Sequence, residues 1–298
     1  MIAKQSADTI VQEMRAPSVE AGAFDLPPEP LVKIRPHLPF TLNLHEVWAH
    51  RELLHFLVWR DLKVRYKQTV LGVSWVVLQP LLAMIIFTVF LGQVVRVPSD
   101  KVPYPVFAYA GLLLWTFFSN AVLSGSYSLV ASAHVITKVY FPRMLIPVSA
   151  ILVRLIDFVI AFVFLIPLVI YYRVPVGRGL LLIPLLVVQL TALATAFGIL
   201  FSALYVRYRD VSTVLPVLLQ FWMFASPIVY PSSLLSPGWR RVYALNPLVG
   251  IVEGFRAAIF GGEFDWPGLL VSALITLALL VYSVYVFQSM EEEFADFA

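Results

Sequence analysis

Six stretches of this chain run for twenty or more residues with almost no charge. They cover 70–95, 103–133, 144–172, 179–206, 211–235 and 266–290, and among them only 144–172 carries charged residues, Arg154 and Asp157. A helix that crosses hydrocarbon needs about 20 apolar residues, because nothing in the bilayer core can satisfy an open backbone. Composition agrees. Hydrophobic residues make up 60% and charged residues 13%, against roughly 45–50% and about 25% in ordinary soluble domains. The mean hydropathy is +0.86. A soluble globular enzyme is excluded. With no cysteine, disulfides, iron–sulfur clusters and thiolate zinc sites are excluded too. A net charge of +3 is too small to argue for nucleic acid.

The expected fold is an all-α polytopic membrane protein with six transmembrane helices. The run 242–252 is too short to span and holds Asn246-Pro247 and Gly250. Segment 236–263 is therefore expected to form re-entrant or surface helices between the fifth and sixth spans. Residues 1–40 carry Pro17, Pro27, Pro28, Pro30, Pro36 and Pro39 with mixed charge, the pattern of a flexible tail. No apolar stretch follows a basic start there, so no cleaved signal peptide is expected and the first span would act as the insertion signal. Residues 291–298 form a short C-terminal tail. Within 41–69, Leu44, Val47, Trp48, Leu54, Val58 and Leu62 fall on one helical face, widened by Leu53, Phe56 and Leu57. Such an amphipathic helix is expected to lie in the membrane interface. Periodicity alone leaves open whether it is a plain anchor or a docking platform.

Arg60, Lys63, Arg65 and Lys67 precede the first span, and only Arg96 and Lys101 follow it. The excess of positive charge before the span places the N-terminus in the cytoplasm, and six crossings return the C-terminus there. The later loops follow this rule poorly. Arg173, Arg178, Arg240, Arg241 and Arg256 would lie outside, which makes the outer arginines a candidate anion-handling cluster.

Several chemistries lack their residues. No G-x-x-x-x-G-K-[ST] loop exists, so ATP phosphates cannot be held in that way. His45, His50 and His55 are five apart, and each step turns about 140° around a helix, so they share no metal-binding face. No carboxylates cluster as they would around Mg²⁺ and a lipid pyrophosphate. A membrane enzyme therefore has no constellation to stand on. A secondary transporter would want carboxylates on several spans, and only Asp157 lies deep. Arg154 and Asp157, three apart, share one helix face. They read either as a self-neutralising pair that seats the helix or as a conformational latch. The 42 aromatics (22 Phe, 13 Tyr and 7 Trp) read either as interfacial belts and core packing, or as a ring-lined path for sugars.

The segment Arg51-Glu52-Leu53-Leu54, then Trp59 through Gly72, then Trp75 and Gln79-Pro80, resembles the opening of ABC-2-type exporter permeases. More narrowly it is similar to the membrane subunit of O-antigen and related polysaccharide exporters. The loop Lys138–Arg143, the Tyr208-Arg209-Asp210 loop and Asn246-Pro247 fit the same pattern. The resemblance covers about residues 44–290. It implies two copies of this chain above two copies of a separate ABC ATPase. ATP and Mg²⁺ would sit on that ATPase, with no cofactor or metal on this chain. The interface helix and first inner loop would contact it, through Arg51, Glu52, Trp59, Arg60, Asp61, Lys63, Arg65, His134, Thr137, Lys138, Tyr140 and Phe141. This favours docking over a plain anchor. Segment 230–263 would form the family's gate helices, with Arg240, Arg241, Asn246, Glu253 and Arg256 near the outer face. The implied cargo is a polysaccharide on a polyprenyl pyrophosphate lipid, crossing the inner membrane as O-antigen, capsule or teichoic acid.

Overall fold

The computed structural model describes residues 50–67, 72–100, 102–136 and 141–291. Contacts divide the chain into two units, 1–38 and 39–298, and every described residue belongs to the second. The expected tail 1–40, the first part of the interface segment and residues 292–298 lie outside the described residues.

The described residues form helices and no strands. Helix α1 is Arg51–Tyr66 and α2 is Ser74–Phe87, continued by a π-helical turn, Thr88–Val94. Next come α3 (Tyr104–Ala131), the single turn α4 (Ala133–Ile136), α5 (Leu145–Val163) and α6 (Leu165–Tyr171). A 3₁₀ turn, Arg178–Leu182, leads into α7 (Ile183–Arg207), followed by α8 (Val211–Phe224). The short α9 (Pro237–Tyr243), α10 (Pro247–Phe260) and α11 (Trp266–Met290) complete the fold. Local chemistry sets several boundaries. Asn246 and Asp265 cap α10 and α11 through their side chains, with Pro247 and Pro267 in the first turns, where a missing N–H costs nothing. Gly261, at φ +76°, closes α10 in the left-handed conformation that glycine adopts freely. The third apolar stretch breaks between α5 and α6, because Pro167 has no N–H for the Val163 carbonyl.

Among the described residues, five helical segments are long and apolar enough to cross a membrane: Ser74–Val94, Tyr104–Ala131, Leu145–Tyr171, Gly179–Arg207 and Trp266–Met290. This is a multi-pass membrane protein. The central post is α3, 78% buried over its most apolar stretch, against 17–33% for the other four. Small residues let its neighbours close in. Where α3 meets α7, a Cβ on Gly125 would lie 3.2 Å from the Gly198 Cα and 3.0 Å from Ile151 of α5. The outer helices turn large apolar side chains outward, Ile85, Ile86 and Phe90 among them, as lipid contact requires.

The fifth stretch departs from expectation. The helix expected over 211–235 stops at Phe224, and 14 residues rise only about 21 Å. The chain nevertheless continues through the height of the bundle. The Ser212 carbonyl accepts from the Tyr127 hydroxyl near one end of α3, and the Val229 carbonyl accepts from Tyr104 at the other. Those tyrosines are separated by about 34 Å of helix. Residues 226–229 make the remaining distance without helical bonds, and they are buried.

Candidate functional site

Two constructions stand out, one at each end of the bundle. At the end carrying α1, Leu57 is buried in a cluster with Leu129, Phe141, Leu145, Ile146, Ile199, Ala203, Phe287 and Met290. The cluster joins α1 and the chain just before α5 to the ends of α3, α5, α7 and α11. Leu53 and Leu54 pack against it, while Phe56, Trp59 and Val64 stay exposed. The buried edge of α1 thus runs through Leu53, Leu54 and Leu57, one step round from the stripe through Leu54, Val58 and Leu62 that periodicity picked out.

A polar anchor fixes the other end of α1. Arg65 pairs with Asp157 of α5 at 2.9 Å, and the Tyr66 hydroxyl donates to the second oxygen of the same carboxylate. Arg154 lies 3.6 Å from Asp157, as their spacing of three predicts, and its Nε donates to Ser124 of α3 at 2.7 Å. Burial, then the bond to Asp157, push the Tyr66 hydroxyl up to about 12, so it stays a donor at any physiological pH. Sequence reading found Arg154 and Asp157. It missed Tyr66 as a partner, because 91 residues separate it from Asp157.

The remaining residues expected to face an ATPase divide. Arg51, Glu52, Lys63 and His134 are exposed. Arg60 pairs with its neighbour Asp61 at 2.8 Å, and the Lys63 ammonium sits 5.2 Å over the Trp59 ring. Phe141, expected at the contact surface, is 7% exposed inside the Leu57 cluster. Thr137, Lys138 and Tyr140 lie outside the described residues.

The second construction sits at the opposite end. A non-helical backbone inside a membrane protein must have its carbonyls capped by protein, and here α10 and α3 cap them. Asn246 donates to the Ala225 carbonyl at 3.1 Å and to the Ser226 hydroxyl at 2.8 Å. Its own oxygen accepts from the Leu248 N–H and from the Trp222 indole, both at 3.1 Å. Arg256 donates to the Pro227 and Ile228 carbonyls, each at 2.6 Å, and to the Phe107 carbonyl at 3.3 Å. Its guanidinium lies 3.6 Å from the centre of the Phe107 ring. Gly111 must lack a side chain here, since a Cβ would collide with the Ile228 carbonyl oxygen and the Arg256 guanidinium.

This geometry corrects the expected role of Arg256. The side chain is 7% exposed and both of its Nη groups donate to backbone carbonyls, so it is not presented to an anion outside. Nor do the described residues show an ion pair between Arg256 and Glu253. Burial raises the Glu253 carboxyl to about 7, with Arg256 pulling the other way. Arg240 donates to the Ser233 and Leu235 carbonyls from an exposed position, and Arg241 is exposed. Beside them, Trp222, Trp239, Tyr243, Leu245 and Asn246 line an open cleft of about 540 Å³.

Among the described residues, a helical bundle with a side helix anchored at one end and a capped backbone break at the other defines a multi-pass membrane component. Comparison with known proteins gives the family. The model of the ABC-2 type transporter family matches residues 52–260. An O-antigen export system permease, RfbA of Myxococcus xanthus, is 31% identical over 258 residues, covering 85% of this chain and 98% of that protein. A Klebsiella pneumoniae RfbA is 28% identical over 246 residues, covering 82% and 94%. The polysialic acid transport protein KpsM of Escherichia coli is 24% identical over 239 residues, covering 78% and 91%. The chain belongs to the ABC-2 type transporter family, as its membrane transport subunit and not as the ATPase.

Proposed function

We propose that this chain is the permease of an exporter that carries a polysaccharide on a polyprenyl pyrophosphate lipid, such as O-antigen, across the inner membrane. Two copies form the path, and two copies of a separate ABC ATPase drive it. Both termini are cytoplasmic, and α8 with residues 225–229 makes the sixth crossing. The end carrying α1 then faces the ATPase, and the α9–α10 segment is the outer gate. A sugar polymer cannot enter hydrocarbon unaided, because each hydroxyl would lose its hydrogen bonds.

The observation that carries the mechanism is the joining of α1 to the transport helices. Because the Leu57 cluster and the Arg65–Tyr66–Asp157 anchor hold α1 against α5, movement of α1 by an ATPase must move α5 or break these contacts. Exposed Arg51, Glu52, Trp59 and Lys63 serve as the docking face, together with Thr137, Lys138 and Tyr140. At the outer end, Arg240 and Arg241 are the residues left to meet a pyrophosphate, since Arg256 holds backbone. Trp222, Trp239 and Tyr243 line the cleft beside them, aromatic side chains along which sugar rings can slide.

A capsular polysaccharide is the second reading, favoured by the relative that transports polysialic acid. The test is affinity purification from the native membrane, followed by glycan profiling of a strain lacking this chain. The reading expects an ABC ATPase to co-purify and the surface polysaccharide to be lost. Intact surface polysaccharide in the deleted strain overturns it.

A further inference from the structure

At the α1 end lies a recess of about 80 Å³ that the transport reading does not use. Arg65 of α1, Gln79 of α2, Thr116 and Asn120 of α3, and Arg154 and Asp157 of α5 line it. Two guanidiniums face one carboxylate, which leaves one net positive charge. Asp157 already pairs with Arg65 and Arg154 and accepts from Tyr66. Each guanidinium carries five N–H donors, more than these contacts use. Thr116 and Asn120 stand one turn apart on α3, and the side chains of Thr116, Asn120 and Gln79 have no hydrogen-bond partner among the described residues. Unpaired polar groups are costly in a membrane, so this gathering of donors calls for a polar occupant.

The height of the recess says which occupant. Ser74–Val94 counts 21 residues, about 32 Å of helix, and the hydrocarbon core is about 30 Å thick. Trp75, at the start of that span, lines the recess. The central helix gives the same level independently. At the far end Tyr104 packs against Gly92, where an added Cβ would lie 2.9 Å from its ring. Ser124, bound by Arg154, is about 30 Å further down α3. Both measures place the Arg154 end of the recess at the hydrocarbon boundary, where lipid phosphates lie, with Asn120 and Thr116 one and two turns deeper along α3, and Trp75 is an apt interfacial anchor.

We propose that this recess binds the phosphodiester of an anionic phospholipid. Arg65 and Arg154 supply charge-assisted bonds to the phosphate, and Asn120, Thr116 and Gln79 supply neutral donors. Phe117, Phe158 and Pro80 flank the glycerol and upper acyl chains. One net positive charge matches a phosphodiester, with one negative charge. A pyrophosphate carries more charge than the site balances. The orientation proposed above makes this an inner-leaflet lipid.

The test is native mass spectrometry of the purified full chain in detergent with added phosphatidylglycerol, diacylglycerol, undecaprenyl pyrophosphate or inorganic phosphate. Phosphatidylglycerol is expected to remain bound at one per chain, and diacylglycerol is not. Arg65→Gln and Arg154→Gln are each expected to weaken retention about tenfold or more, the worth of one charge-assisted bond. Asn120→Leu is expected to weaken retention several-fold while leaving the lipid-free melting temperature unchanged or higher. A purely structural asparagine would do the reverse, so this variant decides the matter if the arginine variants fold poorly. Equal retention of phosphatidylglycerol and diacylglycerol overturns the proposal, as does unchanged retention in Asn120→Leu. Tenfold tighter binding of undecaprenyl pyrophosphate assigns the site to cargo and overturns the phospholipid, and binding of inorganic phosphate alone overturns the need for a lipid. All readouts are of binding, so failure here leaves ATP-driven export to be judged separately.

Discussion

Replacing Arg256 with methionine keeps much of the side-chain volume and deletes the fork that holds residues 227–228. Two bonds of 2.6 Å to carbonyls are lost, together with a 3.3 Å bond to Phe107. Hydrogen bonds from a charged donor are worth about 1.5–3 kcal/mol each, and a buried carbonyl left without a donor costs about 1–3 kcal/mol. Removing the buried guanidinium returns part of its desolvation cost. The two short bonds decide the sign, and the expected net loss is about 3 kcal/mol. At roughly 2–4 °C per kcal/mol that lowers the melting temperature by roughly 6–12 °C. Lysine delivers a point charge without the fork, so Arg256→Lys should lose about half as much. The chain has no cysteine, which makes a local assay clean. Ser226 is fully buried, and a Ser226→Cys thiol should label slowly with a water-soluble maleimide. Adding Arg256→Met should speed labelling at least tenfold. Gly111→Ala, which crowds the same carbonyl and guanidinium from α3, should speed it too. Unchanged labelling and melting in both variants would refute the view that α10 holds this backbone in place.

Asp157→Asn leaves Arg65 and Arg154 facing each other without a counter-charge; it should cost about 3 kcal/mol and uncouple ATP turnover by the partner from export. Adding Arg154→Gln should restore part of the stability, read as a double-mutant cycle of melting temperatures; strict additivity would count against the anchor. Leu57→Ala empties a side chain that is 3% exposed; a loss of about 2–5 kcal/mol is expected, seen as a lower melting temperature. Glu253 is held above its ordinary value of 4.5, at about 7. Its penalty is absent below pH 4.5, grows as pH rises to about 7 and is constant beyond. Glu253→Gln should therefore melt like the parent near pH 4.5 and higher than the parent above pH 7, by at most about 3 kcal/mol. A gain at low pH only would reverse that sign.

The spans were legible because a membrane helix announces itself by length and apolarity alone. Ser74–Val94, Tyr104–Ala131 and Trp266–Met290 lie within a few residues of the stretches read from the sequence. The early end of α8 was legible only in part. Pro227, with no N–H for the Met223 carbonyl, is a local cue, but what replaces the helical bonds of 225–229 comes from Asn246 and Arg256, some 20 to 29 residues further on. No local period encodes that. The same blindness made Arg256 look like an outward charge at the end of an apolar run. Arg154–Asp157 was visible because its partners sit on one helix, whereas Tyr66–Asp157 joins helices 91 residues apart. A cue for the α10 cap was present in Asn246-Pro247, a residue suited to the cap followed by one suited to the first turn.

The central claim is that a separate ATPase drives this chain through α1. The direct measurement reconstitutes the chain in liposomes with and without the co-purifying ATPase and follows translocation of a labelled polyprenyl-linked glycan. Translocation should require both proteins and ATP, and Asp157→Asn should abolish it while sparing ATP hydrolysis. Translocation by this chain alone, without nucleotide, would contradict the account.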